Sequence, residues 1–513
     1  MKGTLVKMPR AVQLKDILSR FLLVFLSIET ILQELTIYRR RQKLRVMKNG
    51  LDLRGAYEAT LRRIKAQGGE KARLGMAVLM WVSHSRRPLQ VEELCHAIAI
   101  RIGSTHHNSD DIPTLSTLIN CCQGLVTLEK SGSTIRLIHF TLQEYLHAHF
   151  NRAHSIMAET CLTYLNFQHI KDISAQPPSN LRDTPFLEYS SLYWGTHMRM
   201  EVSDCSKTLA LQLLDLFDGH ISAKYLWNSI NGWLPSYQNR RYRPFSALHC
   251  IAYFGVTEVA KTLLEMNRWD VNKEDDAGTT PLIWAAIHGH EEVVSLLLRN
   301  EYSQPDRHDS NFGRTALSWA AENGHEGVVK LLLGRKDVNP DSLSNSGQTP
   351  LLLAARNGHE GILRLLLGRK DVNPDITDML LGRTPLSWAA EDGHDGTVKL
   401  LLARKDVNPD NLSNSGQTPL SWAAWKGREG IVKLLLGQKD VNPEITDTLY
   451  GQTPLSWAAE NGHESTVKLL LSREDVNPNT SSKSGQTPLT LAANNGHHIV
   501  VELLQTRHSR CIR

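Results

Sequence analysis

The chain has 513 residues, 41% of them hydrophobic and 22% charged, with a net charge of +5. That length allows about three domains at about 150 residues each, and the composition suits a folded protein with a sizeable core. The small net charge gives no pointer to nucleic acid or an anionic membrane. Seven scattered cysteines without a C-x-x-C pair exclude a zinc framework or disulfide scaffold and read as free thiols in a reducing compartment.

Residues 1–50 read as a helical segment whose order the sequence leaves open. The run "FLLVFLSI" (Phe21 to Ile28) is too short to span a bilayer, and Glu29 ends it. No small-residue cleavage site follows, which argues against a secretory signal. Phe21, Phe25, Ile28, Leu32 and Leu35 recur at steps of three and four, the pattern of a buried helix face. The basic run "YRRRQKLRVMK" (Tyr38 to Lys48) reads as a solvated helix face, with a nuclear signal or anionic patch as the alternative.

Residues 51–150 give three helices, then strand-like runs around a Gly-containing turn in "LVTLEKSGSTIRLIHF", then helix in "TLQEYLHAHF". Three helices and a hairpin make a winged-helix pattern. The third helix, predicted over 112–125, would be the reading helix, yet it contains no Lys or Arg for phosphate or guanine. A packing module is therefore preferred to a DNA reader. Residues 151–240 read as a helical linker.

From about residue 244 the sequence copies itself. Gly-x-Thr-Pro-Leu starts recur at Gly278, Gly313 (with Ala316 for proline), Gly347, Gly382, Gly416, Gly451 and Gly485, after a degraded copy at Pro244. The eight units are spaced 34, 35, 34, 35, 34, 35 and 34 residues apart, so the duplication has a 69-residue higher order. Such periods mean a solenoid. In the fifth unit, Thr384 is placed to cap a helix and Pro385 to occupy its first position. Leu386, Ala389 and Ala390 share a face, and Asp392-Gly393 ends the helix. Val398, Leu401 and Leu402 make the apolar face of a second helix. A polar loop beginning "DVNPD" leads to the next unit. The units occupy 241–507, with a tail over 508–513.

Two residue sets invite a chemical reading. The tryptophans Trp284, Trp319, Trp388, Trp422 and Trp457 recur at one position, but Ile251, Leu353 and Leu491 replace them elsewhere, as in a packing site. The histidines His325, His359, His394, His463 and His497 occur once per unit. A repeat step of about 10 Å keeps neighbouring histidines from sharing zinc, whose ligands must lie about 2 Å from one point. They read as turn histidines bonding backbone. No Gly-Lys dipeptide, and hence no Walker A loop, and no Gly-x-Ser-x-Gly occurs. No catalytic residue, metal ligand or cofactor is expected, and the chain reads as a non-enzyme.

The variable positions carry the partner-binding expectation. Phe312, Leu381 and Tyr450, 69 residues apart, each precede a unit's glycine, where Ser346, Ser415 and Ser484 stand in the alternate units. Apolar loop tips need a reason: local packing against the next loop, or a ladder of contacts for a partner at about 20 Å intervals. The end of each first helix also varies, with Glu322, Arg356, Glu391, Trp425, Glu460 and Asn494. Trp425 and the adjacent Lys426 break the pattern as a candidate anchor.

Thr-Pro-Leu, Ala-Ala, Asn-Gly-His, Val-Val-Lys-Leu-Leu-Leu and Asp-Val-Asn stand in the register of the ankyrin repeat, which this half closely resembles. The resemblance implies a mostly α fold, an ankyrin α-solenoid after a winged helix and helical linker, that meets protein partners through loop tips and first-helix ends. Two features depart from it: serine (Ser318, Ser387, Ser421, Ser456) replaces the family's histidine after Thr-Pro-Leu, and the loop between units is longer. "MWVSHSRRPLQVEELCHAIAI", "CCQGLVTLE" and "IRLIHFTLQEYL" resemble the GPI inositol-deacylase-type winged helix that follows the NACHT domain of fungal NLR-like receptors. "RFLLVFLSIETI", "CLTYLNF" and "YSSLYWGTHMRM" look like that family's helical regions. No residue matches its P-loop, so the chain looks like the back half of such a receptor, by truncation or a gene model with a lost front. The resemblance implies protein recognition in signalling, in the cytoplasm or alternatively the nucleus, without a small-molecule substrate or membrane span. Nucleic-acid binding through the winged helix and basic run is the alternative. A nucleotide-hydrolysing subunit that needs a partner chain is a third reading.

Overall fold

The computed structural model describes residues 35–48, 53–106, 108–129, 133–175, 184–231 and 245–511. The chain is mostly helical and divides into two compact units, one through Asn239 and one from Arg240. The apolar run at Phe21 lies outside the described residues. Leu35, expected on its buried face, is 92% exposed and precedes the first described helix. No helix among the described residues is long and apolar enough to cross a membrane.

In the first unit, α1 (Ile37–Lys48) carries the basic run, and its Tyr38, Arg39 and Arg41 are exposed. The winged helix follows: α2 (Leu53–Ala66), α3 (Gly69–His84), α4 (Val91–Ala99) and α5 (Leu115–Cys121) precede strands β1 (Val126–Leu128) and β2 (Ile135–Leu137). The strands pair antiparallel with Val126 opposite Leu137. The helix expected third, α5, is the fourth of these and is shorter than the predicted 112–125. The Thr114 hydroxyl caps its start, and positive φ at Gln123 and Gly124 turns the chain into β1. α6 (Phe140–His147) completes the motif, and α7 (Ala153–Leu165), α8 (Gln168–Ala175), α9 (Leu187–Met200), α10 (Asp204–Leu214) and α11 (Ile221–Asn231) pack beyond it. Trp81 of α3 meets Phe186 and Tyr189 edge-on at 5.6 and 6.1 Å, so the winged helix and the helices after it share one core.

Among the six described free cysteines, Cys205 alone is exposed. Burial pushes the thiols of Cys161 and Cys250 well up, which removes thiolate chemistry at neutral pH.

The second unit is a stack of eight helix pairs, from Ala247–Phe254 with Thr257–Glu265 to Pro488–Asn494 with His498–Cys511. In the fifth pair the Thr384 hydroxyl accepts the Ser387 N–H at 3.2 Å and Pro385 fills the first turn. Gly393 ends the helix in the left-handed region, φ 92°. Leu386, Ala389 and Ala390 are buried. The second helix buries Thr397, Val398 and Leu401. Leu402, expected on that face, is only half-buried, because the face rotates toward Thr397.

The repeat histidines bond backbone, but not within their own turn. Each Nε2–H donates to a carbonyl at the end of the preceding repeat's first helix: His325 to Ile287, His359 to Glu322, His394 to Arg356 and His463 to Trp425 at 2.9 Å, and His497 to Glu460 at 3.0 Å. These carbonyls lie at a helix C-terminus, where the helix itself supplies no N–H partner. The sixth repeat has no histidine, and Arg428 Nε donates to the Glu391 carbonyl at 3.1 Å in its place. Each histidine is thus a staple between neighbouring repeats.

Candidate partner-binding surface of the repeats

The alternating spacing has a local cause. In the third, fifth and seventh repeats the loop is built on an aspartate, and it holds one residue more than the serine-based loops between them. Asp309 Oδ1 accepts the Phe312 N–H at 2.7 Å, and Oδ2 accepts the Arg314 N–H at 3.1 Å. Asp378 binds the Leu381 and Arg383 N–H groups in the same way, and Asp447 those of Tyr450 and Gln452. In the alternate loops Ser344, Ser413 and Ser482 accept one N–H each, from Gln348, Gln417 and Gln486. The extra residue is the one before the tip, Asn311, Leu380 or Leu449, while the tips themselves stand where the alternate loops have Ser346, Ser415 and Ser484.

The tips are solvent-facing. Phe312 is 53%, Leu381 42% and Tyr450 58% exposed. Their loops are joined repeat to repeat by backbone bonds of 2.8 Å, Asn345 N–H to the Phe312 carbonyl and Lys483 N–H to that of Tyr450 among them. These bonds hold the tip backbones, while the side chains stay half in solvent, with Phe312 edge-on to Trp319 at 5.6 Å and Tyr450 edge-on to Trp457 at 5.8 Å. Met379, Leu380 and Leu449 are still more exposed and extend the apolar row. Sequence reasoning passed over them, although "ITDMLL" and "ITDTLY" were apolar runs within a polar loop.

The tryptophans correct the packing expectation. Trp284 and Trp422 are buried, but Trp319, Trp388 and Trp457 are only half-buried. Three of the indole N–H groups reach loop carboxylates: Trp284 donates to Asp275 at 2.8 Å, and Trp319 and Trp388 to Asp309 and Asp378 at 2.9 Å. The bond goes with a buried ring at Trp284 and with half-buried rings at Trp319 and Trp388. Arginines then cover the rings of Trp319, Trp388 and Trp422. Arg314 lies 4.7 Å from the Trp319 ring, and Arg383 lies 4.6 Å from that of Trp388 and 3.4 Å from that of Trp422.

The first-helix ends join this layer. Glu322 pairs with Arg314 at 2.5 Å, and Glu391 with Arg383. Burial pulls the Arg383 guanidinium down from its ordinary value, against the opposing pull of Glu391. Glu460 accepts the Gln452 amide at 2.8 Å. Arg356 lies over Trp388 at 4.6 Å, and Lys426 lies over Trp425 at 4.0 Å with Glu391 at 3.7 Å. Asn494 is exposed in the last repeat.

Three of the sequence candidates come together. Trp425, Tyr450 and Glu460 line an open pocket of about 450 Å³ with Trp422, Gln452 and Trp457. Trp425 meets Trp422 at 5.5 Å and Trp457 at 6.3 Å, and Tyr450 meets Trp457 edge-on at 5.8 Å. Phe312, Leu381, Glu322, Arg356, Glu391, Lys426 and Asn494 lie outside its lining. Among the described residues, no group of three or more His, Cys, Asp or Glu side chains is arranged to hold a metal ion.

A family model described as GPI inositol-deacylase, winged helix domain, matches residues 62–158. Nothing among the curated proteins matches the chain. A model described as ankyrin repeats (3 copies) matches residues 219–309, 302–378, 370–447 and 437–511. These matches span more than half of the chain and coincide with a stack built on Thr-Pro helix starts and inter-repeat histidines: the chain belongs to the ankyrin-repeat family.

Proposed function

We infer that the repeats recognise a protein partner along the apolar tip row and the adjoining layer of tryptophans, and that the chain serves as a sensing or scaffolding element in NLR-like signalling, without catalytic activity of its own. The site is in the cytoplasm, with the nucleus as alternative. One observation carries the reading: Phe312, Leu381 and Tyr450 are held outward on loops whose backbones are fully tied down. Phe312 and Tyr450 meet Trp319 and Trp457 edge-on and leave about half of their surface to solvent, and ordered, exposed apolar groups are suited to another surface.

The triple variant Phe312→Ser, Leu381→Ser, Tyr450→Ser tests it. Each change is expected to cost about 0.5 kcal/mol or less, as at most exposed positions, while capture of a partner by the immobilised chain falls. Unchanged capture, or a collapse of melting temperature, would sink the reading.

The nucleic-acid alternative has less support. The helix α5, Leu115–Cys121, is free of Lys and Arg, and the basic residues Arg39 and Arg41 sit on an exposed helix. Duplex DNA is expected to bind no more tightly to the chain than to a variant with Arg39–Arg41 changed to Ser. A salt-dependent affinity lost in that variant would reverse this.

A further inference from the structure

The layer of tryptophans contains its own template for a ligand. In the fifth repeat, Trp388 carries two guanidinium groups, Arg383 from its own repeat and Arg356 from the one before, both 4.6 Å from the ring. Arg383 pairs with Glu391. The third repeat repeats half of this: Arg314 lies on Trp319 and pairs with Glu322. In the seventh repeat the ring and the carboxylate remain, as Trp457 and Glu460. Both cations are gone. Gln452 stands in the register of Arg383, and Trp425 in that of Arg356.

The vacated volume is the pocket described above. Its walls are indole and phenol, Glu460 is held by a neutral amide, and none of its lining residues is Lys, Arg or His. Three buried polar atoms of its lining have no partner: Gln452 Oε1, an acceptor open to a guanidinium N–H, and the indole donors Trp422 Nε1 and Trp457 Nε1. The corresponding indole N–H groups of Trp319 and Trp388 are bonded to aspartate.

Resting on the partner-recognition reading above, we propose that this pocket receives an arginine side chain of the partner, which takes the place that Arg383 holds on Trp388. The guanidinium lies on Trp457, which Trp425 meets edge-on at 6.3 Å, and pairs with Glu460. A flat cation that both stacks on indole and forks onto a carboxylate fits this geometry, whereas the compact ammonium of lysine does not stack. The pocket lies beside the apolar tip Tyr450, so one partner segment reaches both.

N-acetyl-arginine amide is the probe, titrated into the full chain and followed by indole emission. Saturable binding near about millimolar is expected, and N-acetyl-citrulline amide, equal in shape but uncharged, is expected to bind about tenfold more weakly. Gln452→Arg rebuilds the internal cation and is expected to lose the response with its melting temperature unchanged or raised. Glu460→Gln removes the carboxylate and is expected to abolish the preference for arginine over citrulline. Equal binding of the two amides, no saturable response, or wild-type affinity in both variants overturns the assignment, as does tighter binding of trimethyl-lysine amide, which would make the pocket a quaternary-ammonium cage. The tip variant separates the two readings. If it loses partner capture while Gln452→Arg retains it, the tips bind a partner and the arginine pocket is wrong.

Discussion

Lowering the pH from 7 to 4.5 is expected to unfold the first unit while the repeats stay folded. Four histidines crowd together where α3, α6, α7 and α9 meet. The rings of His84 and His147 stack at 4.4 Å, and His154 lies 5.4 Å from His84 and 5.1 Å from His197. The Tyr189 hydroxyl bonds His197 Nε2 at 2.9 Å. Burial, with the neighbouring histidines adding to it, holds His84 down to about 4 and His197 to about 3, and burial and Arg86 lower His154. His220, buried against the Leu165 carbonyl, is held down to about 4.

Free histidine titrates near 6.5, so between that value and the folded values the unfolded chain binds more protons. Stability is then complete above about pH 6.5 and falls as the pH drops toward 4. Several such groups together remove on the order of 5 kcal/mol, comparable with the whole stability of a domain.

The repeats respond later. Asp337, Asp371, Asp406 and Asp475 are held below the ordinary carboxylate range by hydrogen bonds from Arg335, Arg369, Arg404 and Arg473, and their contribution is lost only below the unfolded value near 3.9. His249, buried and held down to about 3, opposes this, but Asp275, raised to about 6 by burial, works in the opposite direction. Scanning calorimetry at pH 7 and 5 is expected to show two transitions, with only one moving down, and a smaller shift in His197→Gln. A single transition, or two that shift together, would refute the assignment.

The repeat architecture was legible in the sequence because its signals are local. Thr384, Pro385 and Gly393 each act on one helix end, and the spacing of the tip residues survived as a 69-residue period. The Trp positions are legible only in part: Trp284 and Trp422 are buried as expected, whereas Trp319, Trp388 and Trp457 are half-buried, a difference that a site accepting Trp, Leu or Ile does not reveal. What makes Trp388 different is Asp378, ten residues earlier, together with Arg383 and Arg356, and only the folded loop brings those four together. The histidines were read as bonding backbone, and they do. That the backbone belongs to the preceding repeat follows from a stacking register that a single unit does not contain. The pocket was hidden for the same reason: it depends on two missing arginines, one in each of two neighbouring repeats.

Gly427→Ala is expected to be among the most damaging small changes in the stack. Gly427 has φ 65°, a conformation that costs a side chain about 1–2 kcal/mol. A Cβ there would also stand 2.5 Å from the Nδ1 of His463. That ring must move, and it is the staple whose Nε2–H reaches the Trp425 carbonyl. Loss of the bond leaves a helix-end carbonyl unpaired and adds about 1 kcal/mol or more, for a total of about 3 kcal/mol. Gly496→Ala is the internal control. Its φ is 76°, but nothing lies within 4 Å of the added carbon, so only the backbone cost of about 1–2 kcal/mol applies. Repeat stacks are stabilised mainly by nearest-neighbour contacts, so a broken staple between the sixth and seventh repeats is expected to split chemical unfolding of the array into two steps. Equal destabilisation by the two alanines would mean that His463 does not couple the repeats. Because the staple ends on the carbonyl of Trp425, the same substitution shifts one wall of the aromatic pocket relative to the other. The stacking bond and the recognition surface therefore rest on the same residue, and binding at the pocket is expected to weaken in Gly427→Ala even at temperatures where the array remains folded.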